Sequence, residues 1–207
     1  MDPLPASYFD IMHAFCHLRP ERSFSYAGGL QSLLCHRCSA IYSSFLLALL
    51  AAWAMRWNGR WSRTGQPLAE VVVAAGLVLL SLVQVEAEDL FGDFVLTEAP
   101  ARFFVGGLTG FGLLQLNRIF QQAEGTSRPR SLLLALPVLL LIPHYVAARH
   151  SWWYSSSTTA AGVLAIYFAM NSAVLRSFFP AATRLRLAPW TLLLMALEWT
   201  GIYFYNR

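Results

Sequence analysis

Cys16-His17 and Cys35-His36-Arg37-Cys38 hold all three cysteines and two of the five histidines of a 207-residue chain. The Cys-x2-Cys spacing lets two thiolates of one tight turn reach one metal ion, and tetrahedral zinc then needs two further ligands. Cys16 and His17, a short loop upstream, can supply them. Cys16, His17, Cys35 and Cys38 are therefore the expected ligand set. Adjacent ligands are sterically awkward, so His13 or His36 could stand in for His17. Arg22 and Arg37 would offset the negative charge of a three-thiolate site and donate hydrogen bonds behind the ligands.

The same residues fit a second chemistry. Cys35 and Cys38 form a reversible dithiol if Arg37 and a helix start lower their thiol pKa. Cys16 would be the resolving thiol and a membrane quinone the electron acceptor. Three cysteines are an odd count, so they cannot all pair within one chain. The plainest reading is that the cysteines are small buried hydrophobes at a helix cap. Common hydrolase templates are absent: there is no Ser-His-Asp arrangement and no His-Glu-x2-His helix. Whether the chain is an enzyme stays open.

Hydrophobic residues make up 57% of the chain and charged ones 13%, about half the share usual in soluble domains. Mean hydropathy is +0.49. Six apolar runs approach the roughly 20 residues that a helix needs to cross a bilayer. They cover about Ser39–Trp57, Leu68–Val85, Ala101–Phe120, Leu132–Ala148, Thr158–Phe178 and Ala188–Tyr205. The runs are continuous, whereas barrel strands alternate. The expected fold is an all-α membrane protein, a polytopic bundle of about six transmembrane helices. Residues 1–38 form an extramembrane Cys/His segment and 39–207 the transmembrane domain. Pro137 and Pro143 predict a kink in the fourth run, and Trp152-Trp153-Tyr154 reads as an aromatic loop at the membrane surface.

All 15 basic residues are arginine. They spread over every loop and form no patch, which speaks against a nucleic-acid partner. The net charge of +4 suits anionic lipid. Arg56, Arg60 and Arg63, then Arg118, Arg128 and Arg130, then Arg176, Arg184 and Arg186 follow the first, third and fifth runs. By the positive-inside rule those loops are cytoplasmic and both termini lie outside an inner membrane. Residues 1–15 lack a basic n-region, so the first run is expected to act as an uncleaved membrane signal.

Ionisable groups at membrane depth are costly and often functional. Glu86 or Glu88 with Arg102 could pair across the hairpin of the second and third runs. His144 and Glu198 lie deeper and could meet in a proton relay or a polar contact between helices. Gly106-x3-Gly110 predicts close approach of a neighbouring helix.

The pattern Cys16-His17-x2-Pro20-x-Arg22-Ser23, Gly28-Gly29, then Cys35-x-Arg37-Cys38-x2-Ile41-Tyr42 resembles a bacterial family of predicted membrane proteins, domain of unknown function 2085. The resemblance extends to Glu86, Arg102 and Gly106. Ala40, Ser44 and Leu33 stand where the family has glycine, glycine and proline. It implies a membrane fold and a Cys/His motif of the family's type, without an activity. The leading expectation is thus an integral membrane protein with a zinc site. The others are a quinone-linked thiol oxidoreductase, and a transporter or a subunit of a membrane complex.

Overall fold

The computed structural model describes Cys16 and residues 22–57, 67–92, 98–121 and 135–205. Among them run six α-helices: α1 His36–Trp57, α2 Pro67–Phe91, α3 Ala99–Gln121, α4 Ala135–His150, α5 Trp152–Phe178 and α6 Arg184–Tyr205. Three are long and apolar enough to cross a membrane: His36–Ala54, Val71–Glu88 and Trp152–Phe178, with hydropathies of 1.4, 1.9 and 1.5. The expected all-helical fold is thus present, with three helices among the described residues long and apolar enough to cross a membrane.

The distribution of side chains explains why these sequences suit lipid. Val72, Val83 and Leu82 on α2 and Leu192 and Leu197 on α6 face outward. The fully buried side chains include Ser39, Ser43, Ser44, Thr159 and Thr191. Phe45, Phe103, Leu34 and Leu141 are buried with them, but a water-soluble bundle would not leave so many large apolar side chains outside. In a bilayer the outer face can be apolar, and helix association relies on small residues and polar contacts.

α1 is the centre of the bundle. It packs on α3 and α5, with α2 beyond α3 and α6 beyond α5; α4 bridges α3 and α5. Glycines set these approaches. A Cβ on Gly106 or Gly110 of α3 would collide with the carbonyls of Arg37 and Ile41, and one on Gly162 of α5 with the carbonyl of Tyr42. The Gly106-x3-Gly110 stripe therefore seats α1, as its spacing predicts.

Ahead of α1 the chain makes a small hairpin. Ser25 bridges Gln31, Ser32 N donates to Phe24 O at 2.9 Å and Tyr26 N to Leu30 O at 2.8 Å. Gly28 and Gly29 turn it with φ of 79° and 76°, a region that other residues rarely adopt. Tyr26 Oη donates to Ala148 O at 2.6 Å, and Trp152 Nε1 donates to Gln31 O at 2.9 Å. The hairpin thus sits on the junction of α4 and α5.

That junction corrects one expectation. Trp152, Trp153 and Tyr154 are the first turn of α5, not a loop, and Ser151 caps the helix by accepting from Tyr154 N at 3.2 Å. The fourth run continues through Pro143 as helix. α1 begins at His36, so Cys38 lies inside the helix and the 1–38 segment ends one turn into it. Residues 122–134, with Arg128 and Arg130, lie outside the described residues.

Candidate metal centre

Cys35 immediately precedes α1. Its carbonyl accepts the first helical hydrogen bond, from Ser39 N at 2.9 Å. Residues three apart share a helix face, which brings Cys38 beside Cys35. The chain just ahead is pinned at Leu34, whose carbonyl accepts from Ser32 Oγ at 2.7 Å and Ser39 Oγ at 3.0 Å. Ser32 Oγ in turn accepts from Phe24 N at 3.0 Å. Cys16 comes back onto this turn. The Sγ atoms of Cys16, Cys35 and Cys38 all lie within 4.8 Å of one another, the spread that one ion can span.

None of the three cysteines is in a disulfide, and Cys16 and Cys35 are buried. Leu34 and Val163 complete their apolar surroundings, and Tyr42, Tyr167 and Trp199 pack against them. Tyr167 and Trp199 meet edge to face with centroids 6.1 Å apart. Hydrogen bonding with Cys16, and after it burial, pushes the Cys35 thiol up to about 11, while the hydrogen bond with Cys38 pulls the other way. A thiol so raised carries little thiolate near neutrality and is a poor redox nucleophile.

His36 does not join the thiols. Its ring stands edge-on to Phe24, centroids 4.2 Å apart. Among the described residues no histidine or carboxylate completes the three sulfurs. His17, the expected fourth ligand, and His13 lie outside the described residues.

The arginines have a different employment from the one expected. Arg22 Nη1 donates to Glu88 Oε2 at 3.0 Å, Arg102 Nε donates to Glu88 Oε1 at 3.1 Å, and Arg37 Nη1 lies 3.8 Å from Glu88 Oε1. Glu88 is 2% exposed in its side chain. One carboxylate at the end of α2 therefore gathers guanidinium groups from the N-terminal segment, α1 and α3. Glu86, the acid favoured from the sequence, is exposed; Glu88, its stated alternative, holds the position. Arg37 lies between the two cysteines in sequence, so the ion cluster and the thiols share one turn of α1.

His144 and Glu198 do not meet. His144 Nε2 lies 2.7 Å from Ser43 Oγ and its Nδ1 lies 2.9 Å from Tyr154 Oη. Ser43 Oγ donates to Ser39 O at 2.6 Å, so its lone pair accepts from Nε2–H. Nδ1 then accepts from the tyrosine. Glu198 Oε2 accepts from Asn171 Nδ2 at 2.8 Å. Glu198 thus makes a polar contact between α6 and α5, the alternative to the relay. Sequence reasoning missed Ser43 and Tyr154, because serines and tyrosines are scattered through the chain without spacing that marks them.

Residues 16–116 match the model of a family described as "Predicted membrane protein (DUF2085)", the family that the Cys/His motif resembles. The match contains all three cysteines, the hairpin, and Glu88 with its three arginines. No curated protein and no solved structure matches the chain.

Proposed function

On the premise of that membrane-protein family, we propose that the chain is a multi-pass inner-membrane protein that binds a metal ion, zinc, through Cys16, Cys35 and Cys38. The observation that carries this reading is the convergence of three thiols within 4.8 Å. His17, beside Cys16 in sequence, completes the ligand set. The donor chemistry fits: thiolates favour soft or borderline ions, and zinc takes them tetrahedrally. Once bound, zinc would hold three thiolates deprotonated in a setting too apolar for them alone. Arg37, in the same turn of α1 as Cys38, would offset part of that charge besides reaching Glu88.

The role of such a metal is structural. It ties Cys16 to the start of α1, while Arg22 ties the same segment to α2 through Glu88. Both clamps lie at the outer end in the topology with termini outside. The raised Cys35 thiol weighs against the alternative of a quinone-linked thiol oxidoreductase. A transporter or a membrane-complex subunit is compatible with a structural metal, and the bilayer itself is the first partner.

Elemental analysis of detergent-purified protein tests the reading. Wild type should carry close to one zinc per chain and the Cys35→Ser/Cys38→Ser variant none. Wild type without metal, after growth with zinc supplied, would sink the proposal. A disulfide recovered from wild type under mild oxidant, with reversible loss on reduction, would move the assignment to redox chemistry.

A further inference from the structure

A pocket of about 310 Å³ opens where the hairpin, the starts of α1 and α3 and the last turn of α4 converge. Ser23, Ser25, His36, Ala99, Tyr145 and Arg149 line it. None of these side chains serves the thiol site, so the pocket stands apart from the metal assignment.

Two helices begin at this wall. α1 starts at His36 and α3 at Ala99, and neither carries an acidic residue in its first turn. The positive end of a helix dipole favours an anion; Pro100, which also lines the pocket, contributes no N–H from α3. His36 points to a ligand independently. It is 6% exposed, and its Nδ1 has no hydrogen-bond partner. A buried polar nitrogen without a partner is uncommon and calls for one. Arg149, exposed in the last turn of α4, adds a full positive charge. The hydroxyls of Ser23, Ser25 and Tyr145 add neutral donors. No carboxylate lines the pocket. Glu98, next to Ala99 in sequence, is exposed, and Glu88 is already held by Arg22 and Arg102.

We propose that this pocket binds a phosphate-bearing ligand, either the headgroup of a lipid or a soluble phosphate ester. A carboxylate has two acceptor oxygens in one plane. The side-chain donors here come from three separate elements, the hairpin, α1 and α4, around a cavity, which suits the several oxygens of a phosphate better. Arg149 at the rim sets the charge and His36 satisfies its nitrogen on the bound oxygen.

The test is calorimetric titration of delipidated, detergent-purified full-length protein with two probes, glycerol 3-phosphate and dioctanoyl phosphatidic acid. Binding of at least one is expected, weakened tenfold or more by Arg149→Gln and by His36→Asn. Arg149 is exposed, so its variant keeps the fold even if the buried His36 change does not. Arg186→Gln, an exposed arginine at the start of α6, should bind as wild type. Equal affinity for the two probes identifies a soluble ester, and binding of the lipid alone identifies a headgroup site. Binding of neither probe overturns the proposal. So does equal loss in the Arg149 and Arg186 variants, which would mean general charge attraction.

Discussion

Glu88 on α2 accepts a hydrogen bond from Arg102 Nε on α3 at 3.1 Å, with both side chains buried. The pair closes the α2–α3 hairpin, and Arg22 brings the N-terminal segment onto the same carboxylate. Removing one member of a buried pair costs roughly 3–5 kcal/mol, because the remaining charge loses its compensation. Glu88→Gln should lower the thermal unfolding midpoint in detergent by that order of effect. Glu86→Gln, at an exposed position, should stay within about 0.5 kcal/mol of wild type. Equal effects from the two would mean that Glu88 is not the organising acid.

Gly162 makes a second prediction. Its α-carbon lies against the Tyr42 carbonyl with no room for a side chain. Gly162→Ala should force α1 and α5 apart and cost about 1–3 kcal/mol, the usual range for overpacking. Gly201 on α6 meets nothing within 4 Å, so Gly201→Ala should leave the midpoint unchanged or raise it. Thermal unfolding of the two variants side by side decides it.

The hydrogen bonds around His144 assign its tautomer. Ser43 gives its proton to Ser39 O, so the imidazole carries its own on Nε2 and accepts from Tyr154 at Nδ1. Nitrogen-15 NMR of histidine-labelled protein should show this Nε2–H form. Tyr154→Phe should remove the donor to Nδ1 and cost about 1–3 kcal/mol. A spectrum with the proton on Nδ1 would contradict the arrangement.

The Cys35 thiol carries a pH prediction for metal-free, reduced protein. Its folded pKa, about 11, lies above the ordinary thiol value of roughly 8.5. The folded state therefore holds this proton more tightly than the unfolded state. The stability it contributes is complete below about pH 8.5 and drains away as pH rises through 11. Alkaline titration with chelator present should show the midpoint falling across that window, and Cys35→Ala should flatten the fall. Metal uptake runs the other way: it must displace thiol protons, so zinc affinity should rise with pH and binding should release protons to a weak buffer.

Much of this molecule was legible as local composition. Long apolar runs specify helices in lipid because no backbone polar group can be left open there; a helix lies at each of the six runs, and three of these helices are long and apolar enough to cross a membrane. The cysteines could be grouped from sequence because Cys35 and Cys38 are held together by one turn, whatever the rest of the fold does. Gly106-x3-Gly110 could be read because small residues four apart make a flat stripe on any helix.

What the tertiary structure alone decided were the choices between neighbours. Glu86 and Glu88 are two residues apart, which turns them about 200° from each other around α2. Either could reach Arg102 on paper; only the rotation of α2 against α3 buries Glu88 and leaves Glu86 outside. His144 and Glu198 were plausible partners by depth, but α4 packs on α3 and α5 and reaches α1, and Ser43 and Tyr154 take both ring nitrogens. Trp152-Trp153-Tyr154 became a helix start because Ser151 caps it and the hairpin lands on the junction, a contact between segments far apart in the chain. Composition sets which segments are helices, because that is settled within each segment. Packing sets which face meets which, because that depends on the whole bundle at once.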